Sequence, residues 1–343
     1  MEIADVDKRW MDHMQAYIYY WLMAYGAILL LLSEVFLWIS EYIRRVHHPH
    51  LYEPVYGPLE QDCDHHRIRH ARLGLDASSP VVPSSDRPAG AEGMRLTHDA
   101  RIARADQLAV THPSAAPLLR FYAELARFQK PVFSELQSKS ETDLHALLCY
   151  FPALVKLVSR TGTDLLAQFA AGNLQSADAQ LKLLAATWEG GEVLDPAARF
   201  YARVLVQPYA EYLASRGDIQ AGGAGPTCPF CNARPVAGVL RGEGDGGKRW
   251  LLCSLCSTEW EYRRVLCPGC GEENKDKLPI YLAAEFPAAR VDACDNCQTY
   301  LKSIDLTKDG HAIPVVDEIA TVALNIWAED HDYAKLESNL LGM

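Results

Sequence analysis

The hydrophobic pattern changes character three times along the chain. From Thr97 to Gly217 apolar residues recur every three or four positions, as in Leu118, Leu119, Phe121, Tyr122, Leu125 and Phe128, the spacing of a helix face turned toward a core. Ser140-x-x-Asp143 precedes a second run, Leu144, Leu147, Leu148, Phe151, Leu154 and Leu157, and resembles a capping box with Asp in place of Glu or Gln. Ser176 opens a third run that stops near Gly190-Gly191. Asp195-Pro196 supplies an N-cap and an N1 proline for a long helix through Phe200, Val204, Leu205, Tyr209 and Leu213. These signals predict a helical domain of about five helices over residues 94–220, closed by the Gly-rich stretch 221–225.

The first ninety residues read differently. Ala16 to Ser33 is a run of 18 uncharged residues, extended past Glu34 to Ile39, with Tyr17, Tyr19, Tyr20 and Trp21 at one end and Trp38 and Tyr42 at the other. Length and aromatic flanks are those of a membrane-associated helix over residues 16–39; a buried helix and an upstream start codon are the competing readings. Arg44 and Arg45 put the C-terminal flank on the cytoplasmic side. Residues 1–45 are assigned to this segment. Residues 46–93, rich in Pro, Ser, Asp and His and without a periodic face, read as a disordered linker whose His47, His48, His50, His65, His66 and His70 are incidental. Met94 stands where the periodic part begins.

Beyond residue 226 helical periodicity gives way to short apolar strands between paired cysteines. Cys228-Pro-Phe-Cys231 is followed after 21 residues by Cys253-Ser-Leu-Cys256, and Cys267-Pro-Gly-Cys270 after 23 residues by Cys294-Asp-Asn-Cys297. The first pairs are offset by 39 positions and the second pairs by 41, so one unit is written twice, over 226–263 and 264–303. Each unit reads as two cysteine turns, a hairpin, and a strand carrying an aromatic residue, Trp260 or Tyr300. Four thiolates from two tight turns make a soft tetrahedral site for zinc or a single rubredoxin-type iron, giving two ions per chain. The sequential grouping is Cys228, Cys231, Cys253 and Cys256 with one ion, and Cys267, Cys270, Cys294 and Cys297 with the other; an interleaved grouping uses the same residues. The residue after the second cysteine of a turn often needs a positive φ, which Asn232 and Gly271 tolerate, and Pro229 and Pro268 pre-set the turn.

Composition narrows the chemistry. Ten cysteines in 343 residues could suggest a disulfide framework, but eight sit in C-x-x-C turns, which favours metal and a reducing, cytoplasmic compartment, tethered to the inner membrane face if the 16–39 helix is real. Cys149 reads as core and Cys63 as unpaired. No βαβ context supports a thioredoxin-like reading. Gly242-Glu-Gly-Asp-Gly-Gly247-Lys248 mimics a phosphate loop, but Arg249 replaces the Ser or Thr and a strand follows, so it is a hairpin turn. The net charge of −11, with no basic segment, argues against nucleic acid. Residues 304–343 read as an acidic helical tail, with Ile319, Leu324, Ile326 and Trp327 packed on the ribbons and its carboxylates contributing to a docking surface. No catalytic constellation emerges, and His98, His112 and His145 read as structural.

The cysteine region resembles the formate dehydrogenase accessory proteins of the FdhE family. The resemblance rests on Cys228-Pro-Phe-Cys231-Asn-Ala-Arg-Pro-Val-Ala-Gly238, on Arg249-Trp-Leu-Leu-Cys253-Ser-Leu-Cys256-Ser-Thr-Glu-Trp260 and Arg264-Val-Leu-Cys267, and on Cys294-Asp-Asn-Cys297-Gln-Thr-Tyr300-Leu-Lys302. Val316-Asp-Glu-Ile-Ala-Thr321 and Leu324-Asn-Ile-Trp327 continue it. It covers roughly residues 94–343; Asn232 departs from the more usual Gly, and residues 1–93 lie outside the family pattern. The resemblance implies a cytoplasmic, non-enzymatic maturation factor with rubredoxin-like sites, acting on the catalytic subunit of a respiratory formate dehydrogenase. Together the readings give an all-helical domain followed by two tandem rubredoxin-like or zinc-ribbon units. A rubredoxin-like electron carrier is the alternative, with a zinc-ribbon nucleic-acid adaptor third.

Overall fold

Thr97, Thr163, Ser176 and Asp195 each turn a side-chain oxygen onto a free N–H at the start of a helix, and these caps set the helical layout. The computed structural model describes residues 97–343 apart from 192, 194, 218–224 and 244–245. The 16–39 run, the 46–93 linker, Cys63 and Met94 lie outside the described residues. Among the described residues no helix is long and apolar enough to cross a membrane.

The helical part comprises α1 (His98–Thr111), α2 (Ala116–Lys139), a 3₁₀ stretch (Leu144–Tyr150), α3 (Phe151–Thr161), α4 (Asp164–Asn173), α5 (Ala177–Trp188) and α6 (Pro196–Arg216). α5 ends where expected, with Gly190 at φ +75° and the Gly191 N–H returned to the Ala186 carbonyl. The supposed capping box is not one. Ser140 closes α2 in the left-handed region, and Asp143 alone caps the 3₁₀ stretch through the His145 N–H. Two adjoining helix ends had been read as one start.

α6 is buried along nearly its whole length, which explains why its sequence lacks a clean polar face. Its polar residues Arg203, Gln207 and Glu211 repeat every fourth position and are all buried. Each is satisfied, Gln207 by the Gln129 side-chain N–H at 3.0 Å and the others by groups of the cysteine units described below.

The two units build one sheet from β1 (Pro235–Glu243), β2 (Gly246–Cys253), β3 (Glu259–Tyr262), β4 (Ile280–Leu282), β5 (Ala289–Cys294) and β6 (Thr299–Asp305). Its order is β3-β2-β1-β6-β5-β4, with the short β7 (Ala334–Lys335) pairing β6. Within each unit neighbours are antiparallel, whereas the units join through parallel β1 and β6, in the register Gly238↔Ser303, Val239↔Ile304 and Leu240↔Asp305. The first strand of one repeat thus meets the third strand of the next. Gly238 lets the strands approach closely, because a Cβ there would lie 2.1 Å from Ser303 Oγ and would force Ser303 or the strands to shift.

One apolar core runs from the helices into the first unit, taking in Leu119, Tyr201, Val239, Leu251 and Trp260. A second, smaller core lies under the second unit and includes Val291, Tyr300, Ile304, Leu324 and Ala328. The latter two come from α8 (Val322–Glu329), which follows the first tail helix α7 (Pro314–Ala320). Ile319 and Leu324 are buried as expected, but Ile326 is 58% exposed because it falls on the outer face of α8.

Half of the tail's carboxylates are held by cations of the folded chain. Arg104 of α1 donates to Asp317 at 2.6 and 3.0 Å and to Asp309 at 2.6 Å, and Arg203 pairs with Glu337 at 3.2 Å. Glu318, fully buried, lies 2.9 Å from Lys302 Nζ and 2.5 Å from Lys335 Nζ. Burial alone would raise the Glu318 carboxyl, but the two lysines overcome it and hold it at about 2. Burial likewise brings Lys302 down to about 8 against the pull of Glu318. These four acids fasten the tail, whereas Glu329, Asp330 and Asp332 are exposed.

Candidate metal centres

Each cysteine turn is a short stretch closed upon itself by the backbone. The N–H of the first cysteine donates to the carbonyl five residues on: Cys228 to Ala233, Cys253 to Thr258 and Cys267 to Glu272, each at 2.9 Å. Cys294 and Thr299 stand opposite each other at the start of the β5–β6 ladder, the same five-residue offset. The residue after the second cysteine is left-handed in all four turns: Asn232 at φ 58°, Ser257 at 55°, Gly271 at 78° and Gln298 at 53°. Sequence reasoning identified Asn232 and Gly271 but not Ser257 and Gln298, whose residue types carry no such signature.

Closing the turns brings the eight cysteines together by repeat, as the sequential grouping expects. Cys228, Cys231, Cys253 and Cys256 form one cluster, and Cys267, Cys270, Cys294 and Cys297 the other, with all sulfurs of a cluster within 4.8 Å of one another. Shorter separations are 3.3 Å for Cys231–Cys253, 3.5 Å for Cys228–Cys256, and 3.7 Å for both Cys267–Cys297 and Cys270–Cys294. A tetrahedron with metal–sulfur bonds of about 2.3 Å has edges of about 3.8 Å. The second cluster already has that spacing and the first is slightly tighter, so each set can hold one ion. The donor set suits zinc and iron equally.

Groups around the sulfurs are those a thiolate needs. Backbone N–H groups point at the first cysteine of a turn, Phe230 to Cys228 at 3.4 Å, Leu255 to Cys253 at 3.3 Å and Gly269 to Cys267 at 3.3 Å. Thr258 Oγ1 lies 3.1 Å from Cys256 Sγ, and Thr299 Oγ1 lies 3.0 Å from Cys297 Sγ. Both threonines stand two positions after the last cysteine, so the repeated unit is in fact C-x-x-C-x-T. That signal was present in the sequence and went unused. At Cys270 the Asn296 amide donates to Sγ from 3.5 Å and, as the leading cause, draws the thiol down to about 7. Burial pushes Cys253 well up and Cys294 to about 12, so without a cation those protons stay on, and an ion must displace them.

The two centres differ in surroundings. The first is enclosed by the helical part. Arg203 of α6 donates to the Ser254 carbonyl at 3.1 Å and to Ser338 O in the tail at 2.9 Å, while Glu211 accepts from Ser257 Oγ at 2.7 Å and from Arg101 at 2.7 Å. The ring of Phe230 rests against Gly217 at the end of α6. The second centre has Cys270 exposed and Cys297 half-buried, whereas Cys231 is the only half-buried ligand of the first and none of its four is exposed. The Arg203–Glu211 stripe was missed in the sequence because polar residues every fourth position look like a solvated face.

Cys149 is half-buried with its thiol 3.2 Å from the Ala146 carbonyl. His98 is buried against Glu211 at 3.6 Å, its ring held below the ordinary value first by burial. The Gly242–Lys248 stretch lies in the β1–β2 hairpin, as its sequence context required.

Known proteins share these features. The family profile "FdhE, central domain" matches residues 227–264 and "FdhE, C-terminal domain" matches 265–341. A "Protein FdhE homolog" of Aquifex aeolicus is 32% identical over 207 residues, which span 59% of this chain and 72% of that protein. A namesake in Pseudomonas aeruginosa is 38% identical over 120 residues, 33% of this chain and 38% of that protein, so this second match spans well under half the relative. The crystal structure of the FdhE protein from Pseudomonas aeruginosa has the same fold, with a TM-score of 0.56 at 24% identity, covering 71% of this chain and 95% of that one. With two cysteine clusters in register with the two family profiles, and a relative 32% identical matched over 72% of its length, this protein belongs to the FdhE family.

Proposed function

We propose that the chain is a metal-binding maturation factor for formate dehydrogenase, which docks the enzyme's catalytic subunit and itself turns over no small molecule. Cys228, Cys231, Cys253 and Cys256 ligate one ion, and Cys267, Cys270, Cys294 and Cys297 a second, iron or zinc. The observation that carries the reading is that, among the described residues, these cysteine sets are the only groups of three or more His, Cys, Asp or Glu close enough to share an ion. Membership of the FdhE family supports the choice of client. The metals hold two hairpins rigid for presentation, since a structural tetrathiolate site contributes folding free energy outright.

The exposure of Cys270 favours one variant of this reading, electron delivery to the client through an iron at the second centre. One experiment separates the two. Cells lacking the factor are complemented with protein loaded only with zinc. Restored formate dehydrogenase activity leaves presentation as the role and removes electron delivery. Unchanged dehydrogenase activity in cells without the factor, together with failure of any formate dehydrogenase subunit to co-purify in the absence of air, removes the client assignment itself.

A further inference from the structure

The charged residues lining one cleft of this acidic chain are mainly cations. The net charge is −11, yet a cleft of about 210 Å³ between the two units is lined by Arg249, Arg264, Lys275 and Arg290 against a single acid, Asp292. That acid is already engaged, accepting from Ser303 Oγ at 2.6 Å and pairing with Arg290 Nε at 2.7 Å. Arg264 and Lys275 are exposed. Arg249 is 96% buried, since its relative exposure is 4%, and its Nε–H has no hydrogen-bond partner. Its terminal nitrogens already reach Asp292 at 3.7 Å and the Arg264 and Leu266 carbonyls at 3.5 and 3.3 Å, so the Nε–H alone is left open to an acceptor entering the cleft.

Apart from Thr299 and the sulfur ligands Cys267 and Cys294, the rest of the cleft is largely apolar, and its apolar side continues onto the sheet edge. Val265 and Ile280 line it and are 45% and 54% exposed. Leu282, two residues further along β4 and therefore on the same face, is 68% exposed. Arg290 of β5 stands opposite Leu282 in the β4–β5 register, so a cation lies beside the apolar edge strand. β4 ends the sheet and pairs, among the described strands, only with β5. Soluble proteins seldom leave a short strand edge both unpaired and apolar unless something adds to it.

We propose that this cleft and the adjoining β4 edge receive an extended acidic segment of a protein partner, a carboxylate entering among Arg249, Arg264 and Lys275 and apolar side chains resting on Val265, Ile280 and Leu282. The proposal deepens the docking reading above and rests on it. The cleft holds a side chain or two and not a folded element, so the partner presents a strand. Cations at the rim speed encounter, and the apolar edge sets residence time.

The test uses the full metal-loaded protein and overlapping 15-residue peptides tiling a formate dehydrogenase catalytic subunit. The expected result is that bound peptides carry an Asp or Glu beside apolar residues and weaken at least tenfold in the Arg264→Glu/Lys275→Glu variant. Leu282→Asp, which leaves every cation in place, weakens them comparably. Rising salt weakens binding to the parent but much less to the charge-reversed variant. Both variants retain two ions. Peptides bound without acidic residues, or bound equally by the variants, overturn the proposal, as does loss of an ion from the charge-reversed variant, which would assign the cations to the second metal centre. If the intact subunit binds parent and charge-reversed protein alike, the surface is wrong while the client stands. If neither subunit nor peptides bind the parent, both fall.

Discussion

Gly238→Ala is the most exacting test of how the two units are joined. The backbone at Gly238 does not need glycine's conformational range; the constraint is space. A Cβ would lie 2.1 Å from Ser303 Oγ and 3.1 Å from Ser303 Cβ across the parallel β1–β6 pair. Ser303 is fully buried, and its hydroxyl donates to Asp292 at 2.6 Å. The structure has two ways to yield. The strands can part, an overpacking strain of about 1–3 kcal/mol, or Ser303 can rotate and give up a hydrogen bond to a carboxylate, about 1.5–3 kcal/mol. The cheaper route sets the result, so the variant loses about 2 kcal/mol. Urea unfolding of the metal-loaded protein reads this through Trp250 and Trp260, both in the first unit. Ser303→Ala removes the nearer atom and already forfeits the hydrogen bond, so adding Gly238→Ala to it costs less than Gly238→Ala does alone. A change below about 0.5 kcal/mol for the single variant, or strict additivity in the double variant, would refute the claim that the join depends on close approach at this position.

Further outcomes follow from the sites and the tail. Replacing Cys253 and Cys256 together by Ser lowers the ion count from two to one by elemental analysis; zero without unfolding, or two, contradicts the grouping by repeat. A competing chelator removes the ion of the second centre first, because Cys270 is exposed and the first centre is enclosed by α6, and release in the opposite order from a Cys231→Ser and Cys270→Ser pair of variants would reverse the assignment. Glu318→Gln leaves Lys302 and Lys335 buried without a counter-charge and costs about 3–5 kcal/mol in thermal or denaturant unfolding. With the Glu318 carboxyl held near 2 in the folded chain against 4.5 unfolded, its contribution is complete above pH 4.5 and fades as pH falls toward 2. The stability gap between parent and variant therefore narrows over that acid range, and a constant gap counts against the buried triad.

Much of this protein was legible in its sequence, for local reasons. Helix starts at Ser176 and Asp195 were readable because a cap is a contact within four residues, and the cysteine turns because four sulfurs on one ion demand C-x-x-C twice over. Asn232 announced a left-handed residue by its type. Ser257 and Gln298 adopt the same conformation because closure of the turn imposes it, and no local preference reveals that. The false capping box at Ser140 had the right residue types but joined two helix ends that only the fold distinguishes. Tertiary structure alone decided the rest. How closely the two repeats approach where β1 meets β6 depends on the missing Cβ at Gly238. Whether the acids of the tail face outward depended on Arg104, Arg203 and Lys302, which lie between 16 and 213 residues away from their partners. The cleft draws its cations from two strands, a loop and a 3₁₀ turn, so no window of sequence shows a basic patch. A pairing set by neighbours in the chain is written in the chain; a pairing set by burial appears only once distant segments have excluded water between them.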